Sequence, residues 1–220
     1  MDWTAVGLTA KLAACTTAVL ALVGLPLSYW LATTRWRGKF LIEAAVTLPL
    51  VLPPTVLGFY LLFLLGPHSL FGQAAETITG GSLLFTFPGI LIGAVLCNLP
   101  FAVQPFTAGF ATVDRRLVEA SWCLGVSRTK TFFRIMVPLA WPSILTGLVL
   151  AFAHTVGEFG VVLMVGGNIE GVTRTLSIAI YDDVQQLKYA EAQRTALLLL
   201  SFAFVALCVT RALQRRRRLP

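Results

Sequence analysis

The sequence predicts an all-α integral membrane protein, and its composition and charge pattern are the observations behind that fold class. Of the 220 residues, 57% are hydrophobic and only 12% are charged, whereas a soluble domain carries about twice that charged fraction. The mean hydropathy is +0.81. The net charge is +7, and the basic residues lie between the long apolar runs and at the C-terminus. This distribution is typical of membrane loops and argues against nucleic-acid binding.

Five apolar runs are long enough, or nearly so, to cross a hydrocarbon layer about 30 Å thick. They are Leu12–Leu31, Ala44–Leu65, Leu83–Phe110, Pro138–Val165 and Thr195–Thr210. The fifth run is short, and we expect its helix to extend upstream, so the sequence predicts five spans and leaves six open. No basic segment with a small-residue cleavage site accompanies the first run, which is therefore expected to be a retained helix.

The basic residues of the loops predict the orientation in the membrane. The first loop carries Arg35, Arg37 and Lys39, the second carries no lysine or arginine, and the third carries several basic residues. The C-terminal tail carries Arg215–Arg218. Since cytoplasmic loops are rich in lysine and arginine, the N-terminus is expected outside and the C-terminus in the cytoplasm. The fourth loop is mixed in charge, and a short helix is predicted there over Thr175–Val184.

The third loop, residues 111–137, is too long for a tight turn and has helical periodicity. Apolar residues recur at the spacing of one helix face, at Leu117, Ala120 and Leu124. Gly125 would permit a sharp bend between two short helices, and Ser127 would cap the second. Ala120 and Ser121 are small and would let a partner approach closely. Periodicity alone leaves open whether this elbow docks a protein or lies as a basic helix on membrane lipid.

Within this loop, residues 119–138 resemble the EAA loop of ATP-binding-cassette (ABC) importer permeases. Their sequence is EASWCLGVSRTKTFFRIMVP. That pattern is E-A-A, three residues, G, nine residues, then I-x-L-P. The residues that match it in register are Glu119, Ala120, Gly125, Ile135 and Pro138. Ser121 replaces the second alanine and Val137 replaces the leucine.

The resemblance implies a type I ABC importer permease fold over residues 1–220, a single transmembrane domain with coupling helices between the third and fourth spans. It implies that the loop docks in a groove of a cytoplasmic ATPase, that Glu119 pairs with a basic or polar group there, and that Gly125 makes the bend. The sequence has no phosphate-binding GxxxxGK[ST] motif. ATP and Mg²⁺ would therefore be used by a separate ATPase dimer, and this chain would be neither an enzyme nor the holder of a cofactor.

Other stretches resemble the molybdate permeases within this group. They are LPLVLPPTVLGFYLL from Leu48, LAFAHTVGEFG from Leu150 and NIEGVTRTLSIAIYD from Asn168. Sulfate and thiosulfate permeases share parts of these segments but are usually longer, and tungstate is isosteric with molybdate, so both alternatives stay open. The resemblance implies a homodimer in the inner membrane that receives an oxyanion from an extracytoplasmic binding protein.

Six residues are candidates for the translocation path: Pro53, Pro54, Thr55, Gly58, Gly157 and Glu158. A path of small residues and backbone groups would bind an oxyanion weakly and let it pass. The prolines would equally serve only to kink a helix, and the small residues only to pack.

His154 and Glu158 are polar residues on one helix face within the fourth run, four positions apart. The pair lacks a further ligand and an HExxH motif, so no metal site is predicted. The four cysteines have no CxxC spacing and predict neither a disulfide framework nor a zinc site. Glu158 is either functional or a structural hydrogen-bond partner. An intramembrane enzyme would need more polar residues than Asn98, His154 and Glu158.

Overall fold

The computed structural model describes residues 2–215, with the side chains of residues 79 and 209–215 outside the description. The described chain is helical, with a π-helical segment at Phe132–Met136. Its helices are α1 Trp3–Thr33, α2 Lys39–Val51, α3 Pro54–Leu65, α4 Leu70–Thr79, α5 Phe87–Ala111, α6 Arg115–Cys123, α7 Arg128–Thr131, α8 Val137–Gly157, α9 Gly160–Gly166, α10 Leu176–Gln185 and α11 Tyr189–Arg215. Of the predicted arginine run at the C-terminus, residues 216–218 lie outside the described residues.

Four stretches of the described chain are long and apolar enough to cross a membrane, and a bent pair makes a fifth. The four are Trp3–Thr33, Phe87–Ala111, Arg128–Gly157 and Tyr189–Cys208. The first helix begins nine residues before the predicted run because Asp2 caps it, its carboxylate accepting from the Ala5 N–H at 3.0 Å. The last helix extends upstream to Tyr189, as expected.

The second predicted span is broken in the middle. Helices α2 and α3 meet at 114°. Leu52 and Pro53 both have extended ψ angles of 135°, because a residue that precedes proline is disfavoured in the helical region. Pro53 and Pro54 carry no N–H, so the carbonyls four residues before them lose their helical donors. The prolines therefore do more than kink this span: they divide it into two helices.

The fourth predicted span is broken as well, without a proline. Helix α8 ends at Gly157, Glu158 has an extended backbone (φ −64°, ψ 130°), and α9 begins at Gly160. The Glu158 carboxylate accepts from the Val161 N–H at 3.4 Å and so caps the new helix. Glu158, which we expected to lie within one continuous span, therefore lies at the junction of two helices.

The core lies where α1, α5 and α8 pack against one another. Phe106 is fully buried there. A Cβ placed on Gly147 would lie 2.7 Å from the Phe106 ring, and one on Gly24 would lie 3.4 Å from it. Small residues on both neighbouring helices thus make room for one large aromatic side chain, as is common between membrane helices.

Two short helices lie outside the predicted spans, and one of them, α10, packs against α1 near the N-terminus. Helix α10 lies where the sequence predicted a helix, and its Leu176 N–H donates to Thr9 on α1 at 2.9 Å. Arg174, just before it, pairs with Asp182 at 2.8 Å and approaches Asp2 at 3.9 Å. Helix α4 lies in a segment that we expected to be a loop, and Ser69 caps it by accepting from the Gly72 N–H.

Candidate functional site

The loop that resembles the EAA motif forms a bend between α6 and α7, which we call the elbow. Asp114 caps α6, accepting from the Arg116 N–H at 2.9 Å. Gly125 has φ +76°, and its N–H donates to the Trp122 carbonyl at 2.9 Å. Its Cβ position is open, so the backbone angle and not a lack of space favours glycine there.

The second arm of the elbow differs from the short separate helix that we expected. Ser127 caps α7 as predicted, accepting from the Lys130 N–H at 3.4 Å. The helix then runs without interruption through the π-helical segment into α8, so Arg128–Gly157 is one helical stretch of 30 residues. The elbow is therefore joined by a continuous helix to the break at Glu158.

Ser121 faces the inside of the elbow and not its outer surface. Its hydroxyl donates to the Val118 carbonyl at 2.7 Å and shares a hydrogen bond of 2.9 Å with Thr131, and both hydroxyl groups are buried. We expected Ser121 to lie on a docking surface. Its small polar side chain instead ties α6 to α7, because residue 121 projects from the same face as the buried Val118.

The outer face of the elbow carries the apolar stripe that the periodicity predicted. Leu124 is 83% exposed and Leu117 is 51% exposed, with the exposed Ala120 between them. Glu119 lies beside the stripe and pairs with Arg115 at 3.1 Å, with both side chains more than half exposed. We call Leu117, Glu119, Ala120 and Leu124 the elbow surface. Of the remaining motif residues, Ile135 is half-buried and Pro138 is exposed in the first turn of α8.

The two broken spans pack against each other through glycines. A Cβ on Gly160 would lie 2.8 Å from the Pro54 Cβ, and one on Gly58 would lie 2.7 Å from the Met164 Cβ. Helix α3 can therefore approach α9 closely only because both positions lack side chains. Gly58, a candidate for the path, is buried in this contact and is a packing residue.

The breaks bring the other candidates for the path into one region. Pro53, Pro54, Thr55 and Gly157 are exposed. Gly160, three residues after Gly157, lies against Pro54, and a Cβ there would be 3.6 Å from the Thr55 backbone nitrogen. The start of α3 and the start of α9 thus lie side by side.

Glu158 belongs to a buried polar network that joins α5 to the second break. Its side chain is 3% exposed, and it accepts from the Cys97 thiol at 3.2 Å. The His154 Nδ1 lies 3.7 Å from the same carboxylate and 3.0 Å from the Asn98 Oδ1. The sequence indicated the His154–Glu158 pair, but Cys97 was missed, since a cysteine in an apolar run has no distinguishing pattern.

Asn98 and Phe101 hold the imidazole of His154 from the α5 side. The Asn98 amide donates to the Ala94 carbonyl at 2.8 Å, which directs its oxygen towards His154. The Phe101 ring stacks on the imidazole, with centroids 4.0 Å apart and planes inclined by 26°. Among the described residues, no three histidine, cysteine, aspartate or glutamate side chains are placed to hold a metal ion.

The chain is similar to membrane components of transport systems along most of its length. Residues 24–219 match the family described as binding-protein-dependent transport system inner membrane component. The molybdenum transport system permease protein of Azotobacter vinelandii is 48% identical over 94% of this chain and 91% of its own length. The protein of that name from Escherichia coli K12 is 32% identical over 99% of this chain and 95% of its own length. A probable sulfate transport system permease protein of Chlorella vulgaris is 28% identical over 94% and 77%.

Solved structures share the fold at low sequence identity. A bacterial ABC transporter involved in the import of alginate has a TM-score of 0.71 at 18% identity, covering 95% of this chain and 78% of the other. An inward-facing methionine ABC transporter has a TM-score of 0.67 at 16% identity, covering 97% and 93%. The predicted fold class is confirmed. The chain belongs to the family of binding-protein-dependent transport system inner membrane components, and it is a multi-pass transport subunit with the type I ABC importer permease fold.

Proposed function

We propose that this chain is the membrane-spanning subunit of an ATP-driven importer of molybdate. The family supports the class of transporter. The substrate is supported by the relatives, since the molybdenum permeases reach 48% identity and a sulfate permease matched over a similar share of the chain reaches 28%. The observation that carries the proposal is the elbow, which presents an apolar stripe and an acid at one end of the bundle, on residues that match the EAA motif.

The elbow end of the bundle faces the cytoplasm in this proposal. The basic residues of the third loop lie there: Arg115, Arg116, Arg128, Lys130 and Arg134. The opposite end carries Asp2, Arg174 and Asp182 in a mixed cluster. The positive-inside rule therefore supports an N-terminus outside and a C-terminus in the cytoplasm.

A cytoplasmic ATPase covers the elbow surface. Full burial of an exposed leucine stabilises a contact by about 2 kcal/mol, and Leu117 and Leu124 both offer such area. Among the described residues, Glu119 pairs only with Arg115, in an exposed ion pair that is weak and is readily exchanged for a basic group of a partner. The match to the EAA motif supports a protein partner over a lipid surface, because a basic helix that lies on lipid needs no fixed spacing between the acid, the small residue and the glycine.

The oxyanion passes the two helix breaks on its way through a dimer of this chain. Helix N-termini carry partial positive charge, and in transporters broken helices direct such ends at anionic substrates. The exposed start of α3 at Thr55 supplies one such end. Because α9 is capped by Glu158, its charge is balanced, so the region attracts an oxyanion without holding it tightly.

Coupling follows from the continuous helix between elbow and break. Two ATPase subunits that close on ATP and Mg²⁺ move the two elbows together, and the 30-residue stretch Arg128–Gly157 carries the movement to Glu158. The inner side closes, the outer side opens to a loaded binding protein, and hydrolysis resets the inward-facing state. This chain contributes the translocation path and the helix that transmits the movement, and the ATPase subunits hydrolyse the ATP.

The proposal is tested with the complete transporter in proteoliposomes, supplied with its binding protein loaded with molybdate, tungstate or sulfate in turn. Molybdate-loaded binding protein should stimulate ATP hydrolysis and uptake, and empty binding protein should not. Stimulation by sulfate alone would replace molybdate with the second candidate, a sulfate or thiosulfate permease. Uptake without the ATPase subunit would refute the importer class.

A further inference from the structure

His154 is the one member of the polar network that reaches an open surface. Its side chain is 38% exposed, whereas that of Glu158 is 3% exposed and Asn98 is fully buried. The Nδ1 atom is directed inward, at 3.0 Å from Asn98 and 3.7 Å from Glu158. The exposed part of the ring therefore includes Nε2, on the opposite side.

This open surface lies near the middle of the membrane. Asn98 comes eleven residues after the start of α5 at Phe87, which corresponds to about 17 Å along the helix, in a layer about 30 Å thick. His154 lies beside Asn98, and Gly157, one turn further along α8, is exposed with open space around it. An ionisable side chain at this depth faces a partner or a water-filled cavity and not lipid.

A second polar side chain, that of Gln104, lies on the same surface. Gln104 lies one helical turn from Phe101, the residue that stacks on His154, and Gln104 is exposed. It contacts Thr47 of α2, with the amide nitrogen 3.5 Å from the hydroxyl. Two exposed polar residues on one face of α5 and α8, beside the first break, indicate that this face lines the aqueous path between two copies of the chain.

The hydrogen bonds determine what His154 can offer there. Because the Asn98 amide nitrogen donates to Ala94, its oxygen accepts, so the His154 Nδ1 carries a hydrogen and donates. Nε2 is then an acceptor in the neutral ring and a donor in the imidazolium. The Glu158 carboxylate next to Nδ1 balances the charge of the imidazolium, and Cys97 and Asn98 are the other polar groups that α5 contributes to the network. None of these contacts involves a lysine or arginine.

We infer that His154 binds the translocating oxyanion through Nε2–H, with Asn98 orienting the ring and Glu158 balancing its charge. The inference rests on the proposed function and adds a residue to the path that the sequence did not assign. A histidine suits a transient site. One charge-assisted hydrogen bond attracts a tetrahedral dianion, and a single balanced cation does not trap it.

Two variants separate the proposed contact from a structural role. His154→Asn keeps a polar group next to Asn98 but ends before the Nε2 position, whereas His154→Gln places a neutral amide donor near that position. In proteoliposomes containing the full transporter, His154→Asn should slow molybdate uptake by about tenfold, the scale of one charge-assisted hydrogen bond, and His154→Gln should fall between it and wild type. His68→Asn is the matched control, since His68 is exposed in the turn between α3 and α4 and is not part of the polar network, and it should leave uptake unchanged.

Protein assembly and binding-protein-stimulated ATP hydrolysis are measured alongside uptake. Wild-type uptake by His154→Asn would overturn the inference, and so would equal losses in both variants. Absence of molybdate uptake by the wild-type transporter would refute the proposed function and this inference together. Normal wild-type uptake with no effect at His154 would refute the inference alone.

A direct measurement does not depend on how the variants fold. The chain has two histidines, so His154 is the only one left in His68→Asn, and diethyl pyrocarbonate modifies the free imidazole nitrogen. The transporter is held with ATP in the outward-facing state by a hydrolysis-deficient ATPase subunit. Modification of His154, followed by mass spectrometry, should be about threefold slower or more with molybdate-loaded than with empty binding protein. Equal rates would overturn the inference.

Discussion

Charge reversal at Glu119 tests whether the elbow surface docks the ATPase. The Glu119 side chain is 56% exposed, and its ion pair with Arg115, itself 67% exposed, spans 3.1 Å. Pairs this exposed contribute about 0.5 kcal/mol or less. Glu119→Arg should therefore leave the unfolding temperature of the isolated permease nearly unchanged.

The effect on docking should be much larger. Truncation or reversal of a charge that is buried in an interface costs about 2 kcal/mol or more, which corresponds to a weakening of about 30-fold. The assay is the dissociation constant of the ATPase for the permease in nanodiscs, together with ATP-dependent uptake. Glu119→Arg should weaken binding by that factor and abolish uptake.

A matched control exists in α2. Glu43 is 44% exposed and pairs with Lys39 four residues before it, at 3.6 Å, so Glu43→Arg makes the same charge change at a comparable ion pair outside the elbow. It should leave ATPase binding within about twofold of wild type. Equal dissociation constants for Glu119→Arg and wild type would refute the docking role. A fall in permease stability would show that Glu119 supports the fold instead.

Three further substitutions test the packing and the network. Gly160→Ala should destabilise the permease by about 1–3 kcal/mol, measured by thermal unfolding, because its Cβ would lie 2.8 Å from Pro54; unchanged stability would mean that the two breaks do not pack as described. Ser121→Ala should lower stability by about 0.5–1.5 kcal/mol, because Thr131 loses its hydrogen bond to Ser121 and keeps the one to the Ser127 carbonyl, and ATPase binding should weaken with it; full stability would contradict the internal role of Ser121. Glu158→Gln should assemble normally, because its amide oxygen still accepts from the Val161 N–H, yet it should slow uptake severalfold when the imidazolium loses its counter-charge; wild-type uptake would leave Glu158 as a helix cap alone.

Local patterns predicted the elbow well and the orientation of its residues poorly. The Gly125 bend depends on the backbone angle of one residue. The Ser127 cap depends on a side chain that is three residues from its donor. Both therefore follow from residues that are neighbours in the sequence. Whether Ser121 faces inward depends on Thr131, ten residues away across the bend. The motif could indicate that small residues belong there, but not that one of them holds the elbow together.

The breaks show the same division. Two adjacent prolines imply a disrupted helix at residue 53, although the angle of 114° required the fold. No proline in the sequence predicts the break at Glu158. It is stabilised by a cap at Val161 and by contacts from α5, and an apolar run with one acid gives no sign of either.

By itself the sequence determined the membrane class, the apolar runs and the bend at Gly125, because composition, run length and motif spacing are properties of the chain read in order. The tertiary structure alone decided which polar groups meet. Cys97 and Glu158 lie 61 residues apart, and Asn98 and His154 lie 56 apart. Their network exists only because α5 packs along α8 at the depth of the break. That packing also leaves one side of the imidazole open, and this open side is the origin of the proposed oxyanion contact.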